Sequence, residues 1–132
     1  MSKKFQTQLL TPEGSLFEGE AISVQAPGSG GNFQMLYNHA PVVSSLGIGK
    51  IVIQTAENEE IIFAVSGGFV EMSHNRCTLL AEKAELSNQI DRAEALKERD
   101  RLREYLSTIT QNREDAELEL AIAENRVKIA SF

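Results

Sequence analysis

Residues 76–96, RCTLLAEKAELSNQIDRAEAL, contain two different spacings of apolar residues. Arg76 to Ala81 reads as a short strand, the last of a series. Beyond Lys83 the spacing lengthens: Leu86, Ile90, Ala93, Leu102, Leu106 and Ile109 recur near the 3.6-residue period of a helix. Ser87 is placed to cap that helix, and Asn88 to Asp91 make a polar, acidic first turn. No glycine or proline follows Gly68, so nothing interrupts a helical run.

Upstream of this boundary, the chain is punctuated by turn residues every eight to twelve positions. Phe5 to Leu10 reads as a strand and Thr11-Pro12-Glu13-Gly14 as a turn. Ala21 to Ala26 alternates as Ile22, Val24, Ala26, and the glycine-rich PGSGGN at 27–32 reads as a loop. Phe33 to Tyr37 and Val42 to Leu46 flank a break at Asn38-His39-Ala40-Pro41. Gly47 and Gly49 mark a turn, and Ile51 and Ile53 share one face of a strand over Lys50 to Thr55. Glu57 to Glu60 forms a hairpin tip. Ile61 to Val65 and Phe69 to Ser73 lie either side of Ser66-Gly67-Gly68, and His74-Asn75 turns the chain again. Many short strands at this spacing predict an antiparallel β-sandwich, or flattened barrel, over residues 1–84.

Downstream, Gln111 and Asn112 read as a short link between two helices. Ala116, Leu120, Ala123, Val127 and Ala130 form the second apolar stripe, with Leu118, Ile122 and Ile129 beside it. A short link makes antiparallel neighbours, so residues 85–132 are expected to form an α-helical hairpin. Its apolar stripes are rich in alanine, and it carries 11 acids and 8 bases. A narrow seam leaves much of its order dependent on docking.

The composition excludes several functions. The 132 residues carry 13 Lys and Arg against 19 Asp and Glu, a formal charge of -6, which argues against nucleic acid and anionic lipid as partners. No segment approaches the roughly 18 apolar residues of a membrane span, and the start lacks the apolar run of a secretory signal. The single Cys77 reads as a small buried hydrophobe. His39 and His74 are too dispersed for a metal site. His39 is expected to bond to backbone, and His74 to sit on an exposed turn. GSGGN lacks the lysine and the following helix of a phosphate loop, and Ser66-Gly67-Gly68 leads into a strand rather than a nucleophile elbow. Its glycines predict a bulge or a close sheet contact. Glu82 with Glu85, and Glu114 with Asp115, are explained as surface charge. A non-catalytic binding or assembly module remains.

The ordered stretches GSGGNFQMLYNHAPVVSSLGIG, VSGGFVEMSHNRCTLLAEKAEL, QIDRAEALKERDRLREYL and AELELAIAENRVKIA resemble the epsilon subunits of F-type ATP synthases, equivalent to the mitochondrial delta subunit. The resemblance spans essentially the whole chain. It implies a central-stalk subunit that couples the catalytic head and the gamma subunit to the c-ring. It also implies a peripheral location on the cytoplasmic side of a bacterial energy-transducing membrane, without lipid insertion. The ring-facing loop corresponds to Gly28, Ser29, Gly30, Gly31, Asn32 and Phe33. His39, Ala40 and Pro41 match the family word GHAP, with Asn38 in place of its glycine; with Gly67 and Gly68 they are expected to be structural. The helical hairpin corresponds to a regulatory element that restrains ATP hydrolysis by reaching the alpha and beta subunits. Arg99, Arg101, Arg103, Arg113, Arg126 and Lys128 are its candidate contacts with that head. Some relatives bind ATP between the helices. Here Asp91, Arg92, Arg99 and Arg126 are the remaining candidates, while Glu94-Ala95 stands where an Arg-Ala pair is expected. The resemblance therefore implies weak ATP binding or none, and no cofactor or metal. The competing reading is a protein-binding adaptor outside any rotary complex.

Overall fold

The computed structural model describes residues 3–130. The outermost residues of the two expected domains, 1, 2, 131 and 132, lie outside this range. The chain divides after Glu85 into two compact units. The first is a seven-stranded sheet: β1 (Phe5–Thr11), β2 (Gly14–Gly28), β3 (Gly31–Leu36), β4 (Val42–Ser45), β5 (Ile48–Thr55), β6 (Glu60–Ser73) and β7 (Arg76–Leu86). Strands β1, β7, β6, β5 and β2 follow one another, and β2 pairs back onto β1, so the sheet is ring-like. Strands β3 and β4 pair with β2 and β6 alone along their named lengths, which leaves it short of a true barrel. The β1–β7 pair is parallel, so the sheet is mixed rather than wholly antiparallel.

Alternation builds the core of this unit. Phe5, Thr7 and Leu9 of β1, Ile51 and Ile53 of β5, Val70 and Met72 of β6, and Cys77, Leu79 and Ala81 of β7 are buried. In β2 the buried residues are Ala21, Val24, Ala26 and Pro27, whereas the expected Ile22 is only half-buried. The β2–β5 register shifts between Ala21 and Ser23. That bulge adds one residue and reverses which face the preceding side chains take.

Several expected breaks are continuous strand. β5 runs through Gly49, and β6 runs from Glu60 to Ser73 through Gly67-Gly68. Before the glycine pair β6 bonds to β5; after it, β6 bonds to β4. Gly68 has φ +123°, and a Cβ there would overlap the Leu80 carbonyl and lie 2.8 Å from the Ala81 Cα. The glycines thus serve as the close sheet contact the sequence suggested. The last strand persists to Leu86, because its backbone stays in the sheet after the apolar spacing has changed.

The second unit contains a 3-10 turn at Ser87–Gln89, then α1 (Arg92–Thr108) and α2 (Glu114–Ile129). Ser87 does not cap α1. That role falls to Asp91, whose carboxylate accepts from the Glu94 amide at 3.1 Å. The buried stripe of α1 is Ala95, Leu102 and Leu106, with Ala93 exposed. Ala116, Ala123, Val127 and Ile129 are buried on α2, which packs against α1. Leu118 is exposed.

Candidate functional site

The sheet unit presents its first candidate surface at residues 28–33. The loop expected over residues 27–32 is a tight hairpin instead. β2 extends through Pro27 and Gly28, which pair with Asn32 and Gly31, leaving Ser29-Gly30 as the turn. The Ser29 amide donates to the Ser45 carbonyl at 3.1 Å, so the tip is tied to the end of β4. Gly31 adopts φ +130°. A Cβ on Gly28 would approach the Phe33 ring at 2.8 Å, whereas one on Gly30 would meet nothing within 4 Å. Ser29, Gly30, Gly31 and Asn32 are exposed, and Phe33 is half-buried against the turn. The six ring-facing candidates thus form one small polar knob with a rigid base.

The loop after β3 is held by a second device. Asn38 sits at φ +64°, in the left-handed region where glycine or asparagine is favoured. Its amide donates to Asn75 Oδ1 at 2.6 Å, and Asn75 Nδ2 donates back to Asn38 Oδ1 at 2.9 Å. Asparagine therefore meets the backbone demand that glycine meets in the GHAP word. His39 is half-buried and bonds through Nδ1 to the Ala40 carbonyl at 2.6 Å; a carbonyl only accepts, so Nδ1 carries the hydrogen. Pro41 is exposed. His74 is exposed, on the turn that Asn75 shares.

A surface that sequence reasoning missed runs across the outer side of β4, β6 and β7. Val43 is 70% exposed, Phe69 60% and Leu80 49%. Val43 stands opposite Glu71, and Ser45 opposite Phe69. Phe69 and Leu80 lie five residues either side of the His74-Asn75 turn, which sets them across from each other in the hairpin. Leu80 in turn aligns with half-buried Leu10 on β1. The signal was present in the odd parity of Phe69 against Val70 and Met72, once β6 is read as unbroken. Cys77 lies beneath, fully buried with its thiol pushed up to about 12 by desolvation, so it is inert at neutral pH.

On the helical unit, the cations are engaged at home. Arg99 donates to Asp100 Oδ1 at 3.0 and 3.1 Å, and Arg101 binds Glu98 at 2.7 Å. That hydrogen bond, with the Arg101 charge, holds the Glu98 carboxyl below its usual 4.5. Arg103 reaches Glu124 at 2.9 Å and Arg126 reaches Glu94 at 3.3 Å, both crossing from one helix to the other. Arg113 donates to the carbonyls of Leu106 in α1 and Ile109 just after it. Lys128 is exposed in the last turn of α2. Of the nucleotide candidates, Asp91 caps α1, Arg92 is exposed, and Glu94 stands beside Arg126. Among the described residues, no group of three or more His, Cys, Asp or Glu is arranged to hold a metal. No helix among them is long and apolar enough to cross a membrane.

Comparison with known proteins gives these surfaces their context. The family model for the ATP synthase delta/epsilon chain β-sandwich domain matches residues 4–87. The chain belongs to the ATP synthase delta/epsilon chain family. Its similarity to curated members continues through the helices. It is 40% identical to the ATP synthase epsilon chain of Desulforamulus reducens, over 98% of this chain and 99% of that one. It is 36% identical to the epsilon chain of Nitratidesulfovibrio vulgaris strain DP4, over 97% and 98%. A chain in a cryo-EM structure of the Euglena gracilis mitochondrial ATP synthase superposes with a TM-score of 0.88, covering 98% of this chain and 82% of that one. Identity there is 16%, so that likeness speaks for the fold. Family membership also fits a subunit without catalytic residues of its own.

Proposed function

We propose that this chain is a central-stalk subunit of a rotary F-type ATP synthase, coupling the catalytic head and gamma subunit to the c-ring. The observation that carries the reading is the outward strip of Val43, Phe69 and Leu80 on a sheet that also offers a polar knob at residues 28–33. An exposed apolar strip on an otherwise charged protein marks a protein interface. The strip is the docking face for gamma. The knob formed by Gly28, Ser29, Gly30, Gly31, Asn32 and Phe33 meets the polar loops of the c-ring. His39, Pro41, Gly67 and Gly68 hold the sheet's shape rather than touch a partner.

Residues 85–132 form a separate domain that restrains ATP hydrolysis through the alpha and beta subunits. Arg99, Arg101, Arg103, Arg113, Arg126 and Lys128 are the candidate contacts; for Arg99, Arg101, Arg103 and Arg126 such a contact is an exchange of ion pairs, and for Arg113 it replaces bonds to carbonyls. Exchange of exposed pairs costs little, about 0–1 kcal/mol each. ATP binding is weak or absent, because Asp91 is used as a cap and Glu94 would repel a phosphate beside Arg126. The host complex places the subunit on the cytoplasmic side of a bacterial energy-transducing membrane.

Reconstitution of the head and gamma with the full chain, or with a truncation after residue 86, tests both roles. Faster hydrolysis with the truncation identifies the helices as the brake; equal rates leave a static coupling subunit. Phe69→Ser should weaken capture by gamma at least tenfold. Unchanged capture, with the protein isolated free of any rotary complex, would favour the adaptor reading.

A further inference from the structure

The two helices of the second unit meet at a turn of five residues, Ile109 to Arg113. The last carbonyls of α1 need partners there, and α1 has no basic residue in its last turn. Ser107 Oγ donates to the Glu104 carbonyl at 2.6 Å, and Thr108 Oγ1 donates to the Tyr105 carbonyl at 2.7 Å. The next partner comes from the other helix. Arg113 Nη1 donates to the Leu106 carbonyl at 2.6 Å and the Ile109 carbonyl at 2.8 Å. The backbone of the same residue opens α2: Arg113 is its N-cap, and its carbonyl accepts from the Glu117 amide at 2.9 Å. Asn112, at φ +55°, makes the reversal that allows both.

We propose that Arg113 is the latch of the helical hairpin: its backbone starts one helix while its guanidinium closes the other, and this joint keeps the two side by side. The bond is charge-assisted, half-buried and aimed at the negative end of α1. By contrast, the crossing pairs Arg103–Glu124 and Arg126–Glu94 involve exposed carboxylates and respond to salt. On the α2 side Ala116, Ala123, Val127 and Ile129 are buried, and the latch fixes the turn that joins this apolar face to α1. Release of Arg113, by a competing carboxylate for example, would uncap α1 and free the joint in one step. The proposal concerns the hairpin alone and stands whether or not the chain serves a rotary complex.

The test uses the full chain with spin labels at Lys97→Cys and Ala121→Cys; native Cys77 is buried and stays unlabelled. The parent should show one short interhelical separation, unchanged as salt is raised. Arg113→Gln should enlarge the population at longer separations roughly tenfold, the effect of losing one charge-assisted bond. Arg113→Lys, with a single ammonium in place of the fork, should fall between them. Removing the crossing pairs with Glu94→Gln and Arg103→Gln should leave the parent distribution nearly intact. The proposal is overturned if Arg113→Gln matches the parent, or if the crossing-pair variant opens more than Arg113→Gln. Should Arg113→Gln lose its helical circular dichroism altogether, Arg113→Lys decides: parent-like separations would overturn the latch, and intermediate opening would uphold it.

Discussion

Replacing Thr7 with valine should stabilise the sheet unit. Thr7 lies on β1 between Phe5 and Leu9, is fully buried, and its Oγ1 has no hydrogen-bond partner. The reason is local: its aligned residues are Gly19 on β2 and Cys77 on β7, which offer no side-chain oxygen. An unpaired buried hydroxyl costs about 1–3 kcal/mol, and a buried methyl in its place contributes about 0.8 kcal/mol. Valine keeps the threonine shape and the β-branched preference for a strand. Thr7→Val should therefore gain about 1–3 kcal/mol, with a melting point higher by about 4–8 °C per kcal/mol for a unit of this size. Urea unfolding followed by circular dichroism checks it, with the midpoint rising and the slope unchanged. Thr7→Ser keeps the hydroxyl, loses the methyl and should fall below the parent. The reasoning is refuted if Thr7→Val is no more stable than the parent, for then the hydroxyl is satisfied.

Other substitutions probe the remaining features. Gly68→Ala forces a Cβ against the Leu80 carbonyl at φ +123° and should cost about 3 kcal/mol or more in urea unfolding. Gly30→Ala, with open space around it and no left-handed backbone, should stay within about 0.5 kcal/mol of the parent. Cys77 should resist a thiol reagent in the native protein at pH 8 and react at once in urea, since burial raises its pKa to about 12. Glu98 should titrate below 4.5 by NMR, and Arg101→Gln should bring it back towards that value. A lowered folded pKa means that the pair's contribution is present above pH 4.5 and is lost as pH falls through the shifted value.

What the sequence determined by itself was whatever a local period or a backbone demand encodes. The change of spacing across 76–96 separates sheet from helices, and the alternation of Ile51 with Ile53 names core residues correctly. His74-Asn75 turns where expected, both residues adopting positive φ. What the tertiary structure decided was everything that depends on a distant partner. The parallel β1–β7 pair, the bulge that leaves Ile22 half-buried, and the continuity of β6 through two glycines all arise from pairing across the ring. Asp91 rather than Ser87 caps α1 because β7 holds the backbone in the sheet as far as Leu86. Helical spacing does reveal Arg101 beside Glu98, but the fates of Arg103, Arg113 and Arg126 were hidden. A cation on a helix looks the same in one dimension whether it faces solvent, a carboxylate on the next helix, or the carbonyls of a turn. Only folding brings the competing acceptors within hydrogen-bond reach, and the nearest acceptor wins because the attraction falls with distance.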